Sequence, residues 1–203
     1  MLTIGVTGGI ASGKSAAMRC LSELGCVCFS ADEAARAVLQ PGGSLLQCIA
    51  FRFGAGILKP NGELDRSRLA SVVFTDKSAR TDLEALMHPP IVNLLLAQMD
   101  SVSWDFPPTA VVAIEIPLLF ETNLEGLFHI TLNIEVPPEV QLARLITRNR
   151  LSNEAASARI GSQLNNAQRR DRATHTIQNT GTISELSSAL STLISRHNLS
   201  RDL

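Results

Sequence analysis

Two hydrophobic rhythms alternate along this chain. Short, nearly unbroken apolar runs occupy residues 2–6, 26–29, 109–116 and 130–136. Runs of this length, bounded by turn residues, predict strands buried on both faces of a parallel sheet. Residues 176–178 form a shorter strand candidate that ends at Asn179-Thr180-Gly181. Elsewhere the apolar positions recur at helical spacing. The pattern predicts helices over 16–24, stopped by Gly25 as an αL cap, over 32–39, stopped by Pro41-Gly42-Gly43, and over 44–53. A helix over 65–74 is capped by Asp65 or the residue before it. Leu83, Leu86 and Met87 share a face over 78–88, Pro89 and Pro90 break or reset the turn, and Ile91, Leu94, Leu95 and Met99 resume the pattern over 91–99. Residues 104–108 read as a loop. Pro137-Pro138 opens a helix, as proline does at a first turn. Another helix spans 152 to about 164, and Ile183, Leu186, Leu190, Leu193 and Ile194 mark a terminal amphipathic one.

Strands alternating with helices around a strandless middle predict an α/β fold, a parallel sheet flanked by helices. The middle, residues 60–102, is the candidate for a helical subdomain that holds an acceptor substrate. No internal repeat or low-complexity linker interrupts the chain. With 203 residues it is long enough to bury a large core. A net charge of −1, one Trp and no Tyr argue against a basic, aromatic-studded nucleic-acid surface. The four cysteines, Cys20, Cys26, Cys28 and Cys48, form no C-x-x-C pair and have no His at metal-ligand spacing, so they read as reduced thiols. No charged n-region with an apolar h-region precedes the first strand, and no apolar run reaches membrane-spanning length. The expectation is a soluble, cytoplasmic protein.

The chemistry is concentrated just after the first strand. Gly8-Gly9-Ile10-Ala11-Ser12-Gly13-Lys14-Ser15 has the G-x-x-x-x-G-K-S spacing of a phosphate-binding P-loop. Gly8 and Gly13 allow backbone dihedrals and close approaches that let successive N–H groups converge on one anion. The helix that opens near Lys14 adds its N-terminal N–H groups and dipole. Lys14 supplies a charge for the β- and γ-phosphates and Ser15 a hydroxyl for Mg²⁺. A strand before the loop and a helix after it make the motif specific, so the chain is expected to bind a nucleoside triphosphate. Neither an N-K-x-D nor a D-x-x-G motif of a GTPase occurs, and the best strand ends in Glu115-Ile116-Pro117. Size and a late arginine pair, Arg144 and Arg148 at i,i+4, favour a compact phosphotransferase. Asp32, just after the second strand, has two readings: the N-cap of the next helix, or a base within reach of a substrate hydroxyl. His88 before Pro89 reads as a helix-end or packing residue.

Over essentially its whole length the chain resembles the dephospho-coenzyme A kinases. The resemblance rests on the P-loop; Ala31-Asp32 with Ala35-Arg36; Leu64-Asp65-Arg66; His88-Pro89; Ile116-Pro117-Leu118-Leu119-Phe120-Glu121; Arg144-Leu145 and Arg148; Arg159-Ile160 with Gln163; and Ile177 with Asn179 and Gly181. It implies transfer of a phosphoryl group from ATP, with Mg²⁺, to the ribose 3′-hydroxyl of dephospho-coenzyme A. It further implies a P-loop core over 1–59, 103–136 and 173–203, a coenzyme-binding helical subdomain over 60–102 and a lid over 137–172. Asp32 inherits the role of orienting or deprotonating the acceptor hydroxyl, and Lys14, Arg144 and Arg148 the roles of charge-neutralising groups. ATP contacts fall to Gly8, Gly9, Ile10, Ala11, Ser12, Gly13, Lys14, Ser15, Ala16 and Asn179. Acceptor contacts fall to Asp32, Arg36, Leu64, Arg66, His88, Pro117, Leu118 and Glu121, and the metal to Ser15. Nucleic acid and membrane are not implied as partners, and the oligomeric state stays open. The chain departs from the family pattern at Ser30, where an Asp is usual, at Ala16, where Thr is common, and at Thr174 and Gln178, where acidic residues are frequent.

Overall fold

A computed structural model describes residues 1–199, so residues 200–203 of the expected core lie outside the described residues. In chain order the strands are β1 (Leu2–Gly8), β2 (Val27–Ser30), β3 (Val111–Glu115), β4 (Ile130–Glu135) and β5 (His175–Gln178). The helices are α1 (Lys14–Glu23), α2 (Ala31–Ala37), α3 (Ser44–Phe53), α4 (Arg66–Thr75), α5 (Lys77–Asp105), α6 (Pro138–Asn149), α7 (Asn153–Gly161), α8 (Asn166–Arg172) and α9 (Ile183–Leu199). They divide into two compact units, Met1–Ser30 with Val102–Leu203, and Ala31–Ser101.

The first unit is built on a five-stranded parallel sheet in the order β2-β3-β1-β4-β5. Every residue of β1 and of β4 is buried, which is why these segments read as continuous apolar runs rather than alternating ones. Ile4, Val6, Ile130, Leu132 and Ile134 pack with Ala17 and Leu21 of α1 and with Leu186 and Leu190 of α9. Each fully buried aliphatic side chain contributes about 1.5–3 kcal/mol relative to exposure. Ile4 and Val6 together therefore anchor the strand from which the P-loop departs. Because all pairings are parallel, the carboxyl ends of the strands share one edge of the sheet, where ligands bind in open α/β folds.

In the helical unit, Leu39, Leu46, Ile49, Ile57, Leu64 and Leu69 form a separate core against which Leu83, Leu86 and Met87 pack. That shared core joins Val38 and Leu39, just after α2, and α3 to α4 and α5; the unit begins at Ala31, earlier than the expected boundary near residue 60. Asp65 caps α4 as expected, its carboxylate accepting from the N–H groups of Ser67 and Arg68 at 3.1 and 3.0 Å.

Four expectations about helices and their ends are corrected. Pro89 and Pro90 lie inside α5, which is one continuous helix. A proline inside a helix costs about 3 kcal/mol, yet its φ is helical, and the packing of Leu83, Leu86 and Met87 into the helical unit's core offsets the lost hydrogen bonds. Trp104 and Asp105 belong to α5 rather than to a loop. The helix ends where Phe106 precedes Pro107, a position at which helical backbone is disfavoured. The helix expected over 152–164 is α7, ending at Gly161, followed by the separate α8. Asp32 is not the N-cap of α2: the helix starts at Ala31 and the carboxylate sits in its first turn, where it still complements the dipole.

Candidate active site

The P-loop connects β1 to α1 and turns through left-handed backbone at Ala11 (φ 60°) and Gly13 (φ 95°). For Ala11 that conformation is strained by about 1–2 kcal/mol, and such strain clusters at ligand-binding loops. Gly13 admits no side chain, since a Cβ there would run into Asn179 Nδ2. The loop is closed internally by Ser12 N–H donating to the Gly9 carbonyl at 3.1 Å. The N–H groups of Ala11, Gly13 and Ser15 donate to no acceptor among the described residues. Ser12 Oγ, buried inside the loop, also has no hydrogen-bond partner among the described residues. Lys14 Nζ donates to the Gly8 and Gly9 carbonyls at 2.9 and 3.1 Å. Unsatisfied donors and an ammonium gathered at a helix N-terminus form an anion receptor.

Residues far along the chain hold this loop. Asn179, buried at the end of β5, donates through Nδ2 to the Ser12 carbonyl at 2.8 Å, and its own N–H donates to the Glu135 carbonyl at 2.7 Å. Gln141 of α6 donates to the Ile10 carbonyl at 2.9 Å, and Gln163 accepts from the Ile10 N–H at 2.8 Å. Arg144 Nη2 donates to the Asn179 carbonyl at 3.2 Å. Arg144 and Arg148 then line a cleft of about 560 Å³ together with Ala11, Gly13, Ser15, Ala143 and Thr147. The two arginines and the P-loop, about 130 residues apart in sequence, thus face one space in the sheet unit.

The segment after β3 is tied into the same unit. Thr7 Oγ1 donates to the Pro117 carbonyl at 3.3 Å. Glu121 Oε1 accepts from the Leu164 N–H at 3.2 Å, and Leu118 is exposed. Two departures from the family pattern are absorbed by pairing. Gln178 Nε2 donates to Glu135 Oε1 at 3.0 Å, where a second carboxylate would repel the first. Thr174 and Thr131 exchange hydrogen bonds, each hydroxyl accepting the other's N–H at 2.9 Å. Ser30 lies in register with Glu115 at the carboxyl edge of the sheet.

The remaining candidates fall in the helical unit. Arg36, Leu64 and Arg66 line a pocket of about 360 Å³ with Gln40, Lys59 and Glu63. Leu64 is 8% exposed and belongs to that unit's core, so it shapes the pocket floor. Asp32 is exposed in the first turn of α2 and His88 half-buried in the middle of α5. Neither lines this pocket or the P-loop cleft. Among the described residues no group of three His, Cys, Asp or Glu side chains is arranged to hold a metal ion. The hydroxyl of Ser15, in the first turn of α1, is a hard oxygen donor in the cleft, the type of single protein contact that Mg²⁺ accepts beside phosphate oxygens. Burial pushes the Cys26 thiol up to about 11 and raises that of Cys28, so both remain protonated packing groups.

The sequence reading missed α8 and what it carries. The signal was present: Asn165 and Gln168 form a capping box, with Asn165 Oδ1 accepting from Gln168 N–H and Gln168 Oε1 from Asn165 N–H, both at 2.9 Å. On this helix Arg170 pairs with the buried Glu135 at 2.5 Å, and Arg169 is itself buried.

The family model described as dephospho-CoA kinase matches residues 2–185. A dephospho-CoA kinase of Geobacillus kaustophilus is 42% identical over 184 residues, covering 91% of this chain and 90% of the relative. The solved dephospho-CoA kinase from Campylobacter jejuni superposes with a TM-score of 0.73 at 31% identity, covering 98% of both chains. A crystal structure from Thermus thermophilus reaches a TM-score of 0.81 at 32% identity, covering 96% of this chain and 97% of the other. No helix among the described residues is long and apolar enough to cross a membrane. The chain belongs to the dephospho-CoA kinase family.

Proposed function

We infer that this protein transfers the γ-phosphoryl group of ATP to the 3′-hydroxyl of the ribose of dephospho-coenzyme A, releasing ADP and coenzyme A. The observation that carries the reading is the P-loop with donors turned to a cleft shared with Arg144 and Arg148, in a chain whose family match spans residues 2–185. Phosphoryl transfer passes through a largely metaphosphate-like transition state, so alignment and charge neutralisation supply most of the catalysis. Here the open N–H groups of Ala11, Gly13 and Ser15, and the ammonium of Lys14, bind the triphosphate. Arg144, pinned by Asn179, and Arg148 supply positive charge from α6. Ser15 Oγ would hold Mg²⁺, which would supply charge neutralisation at the phosphates. Asp32 takes the proton of the acceptor hydroxyl as its oxygen bonds to phosphorus and the bond to the ADP oxygen breaks. Arg36 and Arg66 bind the anionic part of the acceptor from their pocket in the helical unit, which is the acceptor domain in this reading, and α6 to α8 form the lid.

The test is a coupled ADP-release assay with ATP, Mg²⁺ and dephospho-coenzyme A, with product mass and position determined. One added phosphate on the ribose 3′ position is expected. ATP binding without phosphate transfer to dephospho-coenzyme A overturns the reading.

A further inference from the structure

A buried guanidinium presses against the P-loop from the side of α8. Arg169 is 4% exposed. A Cβ built on Gly9 would lie 2.8 Å from Arg169 Nη2 and 2.5 Å from Gln141 Nε2, so glycine at this position is the condition for their approach. The hydrogen bonds of Arg169 go to neutral acceptors: Nη1 to the Leu164 carbonyl and Nη2 to Asn166 Oδ1 at 2.8 Å. Its Nε is buried with no hydrogen-bond partner among the described residues. The carboxylates near enough to influence it, Glu121 and Glu135, are engaged elsewhere, the first with the Leu164 N–H and the second with Arg170 and Gln178.

A desolvated charge without an ion pair is costly to hold in a fold. The cost has a use where an anion arrives, because a charge already stripped of water acts strongly on it. The anion receptor of this protein is the loop that Arg169 touches. Gln141, Gln163 and Arg169 surround Gly9 and Ile10 from α6, the segment before α8, and α8 itself. Lys14 reaches the Gly9 carbonyl as well.

We propose that Arg169 is a positioning residue for the triphosphate: it braces the Gly9 side of the P-loop and places a desolvated positive charge behind it that favours ATP over ADP. The inference rests on the ATP-binding half of the function given above. It is tested by direct binding without acceptor, so failure of phosphate transfer to dephospho-coenzyme A would overturn that function without touching this proposal.

The experiment compares Mg-ATP and Mg-ADP affinities by calorimetric titration in the full chain and in Arg169→Met and Arg169→Lys, with thermal midpoints recorded in parallel. Arg169→Met is expected to weaken ATP about tenfold, the scale of one lost charged interaction, and ADP by about threefold or less. Arg169→Lys, which keeps the charge but not the two-pronged anchoring, is expected to weaken ATP alone, by about threefold. An unchanged ATP-to-ADP affinity ratio in Arg169→Met, with a lower thermal midpoint, would reduce Arg169 to a structural brace and overturn the proposal. Should Arg169→Met not fold, Arg169→Lys decides: selective loss of ATP supports the proposal, and equal loss of ATP and ADP overturns it.

Discussion

The P-loop of the sheet unit and the Arg36–Arg66 pocket of the helical unit both offer positive charge to an anion, but they are built by opposite means. The P-loop is held by partners from distant parts of the chain: Asn179, Gln141 and Gln163 each fix one of its backbone groups, and the strand below it is wholly buried. The helical pocket is made from side chains within about thirty residues of one another, most of them exposed, over a small core of its own. Around it the local bonds are short-range, such as Asp65 capping α4 and the exposed Lys59–Glu63 pair at 3.0 Å, and such exposed pairs contribute at most about 1 kcal/mol. Preorganised backbone donors suit a phosphate chain whose position sets the reaction. Long exposed arginines keep their mobility and hold an anion less rigidly. Asp32, the base in the function proposed above, falls within the helical unit, which begins at Ala31.

This contrast is open to disruption. The largest effect is expected from Lys14→Ala, which removes a fixed charge from the P-loop: turnover falls about 10³-fold in the ADP-release assay, with the thermal midpoint nearly unchanged. Asp32→Asn keeps the shape and removes the base, so kcat falls about 100-fold. The KM for ATP stays within about twofold, because in this account the base acts on the acceptor and not on the nucleotide. Near-normal turnover of that variant would remove Asp32 from the chemistry. Arg66→Ala, in the helical pocket, is expected to raise the KM for dephospho-coenzyme A about tenfold, the value of a charged hydrogen bond, while ATP affinity stays constant. A comparable loss of ATP binding would remove Arg66 from the acceptor side of the proposed reaction.

The smallest effect concerns stability at the far side of the sheet unit. His175 of β5 and His197 of α9 lie with their Nε2 atoms 3.5 Å apart. Burial, then His197 and Arg196, lower the His175 pKa. The unfolded chain therefore takes up a proton at higher pH than the folded chain does. That makes stability fall as pH drops through the unfolded value near 6.5 and below. Thermal melts between about pH 7.5 and 5.5 should show this decline, and His175→Gln should flatten part of it. An identical pH slope in the variant would exclude the pair as its source.

Much of the site was legible because its chemistry is local. The G-x-x-x-x-G-K-S spacing specifies loop geometry and charge within eight residues, and the i,i+4 spacing of Arg144 and Arg148 places both on one helix face. Asp65 was legible as a cap for the same reason. Asp32 was ambiguous between cap and base, and only the helix start at Ala31 removed the first reading. The proline pair in α5 misled because its local penalty is outweighed by packing along the whole helix. The helix α8 carried a readable capping box, but nothing in the spacing of Arg169 distinguishes a buried arginine from the exposed Arg170 and Arg172 beside it.

The sequence alone determined the strand and helix alternation and the anion-binding loop, because periodicity, glycine spacing and the Lys-Ser pair act over a few residues, and motifs matching along the whole chain carried the resemblance to its family. Tertiary structure decided the rest. It joined α3 and the residues just after α2 to the helical unit through a shared core, recruited Asn179, Gln141 and Gln163 to hold the P-loop, and buried Arg169 against Gly9. Those outcomes depend on which surfaces meet after the chain has closed over more than a hundred residues, and the energy that selects them comes from burial and hydrogen-bond satisfaction between segments that carry no local trace of one another.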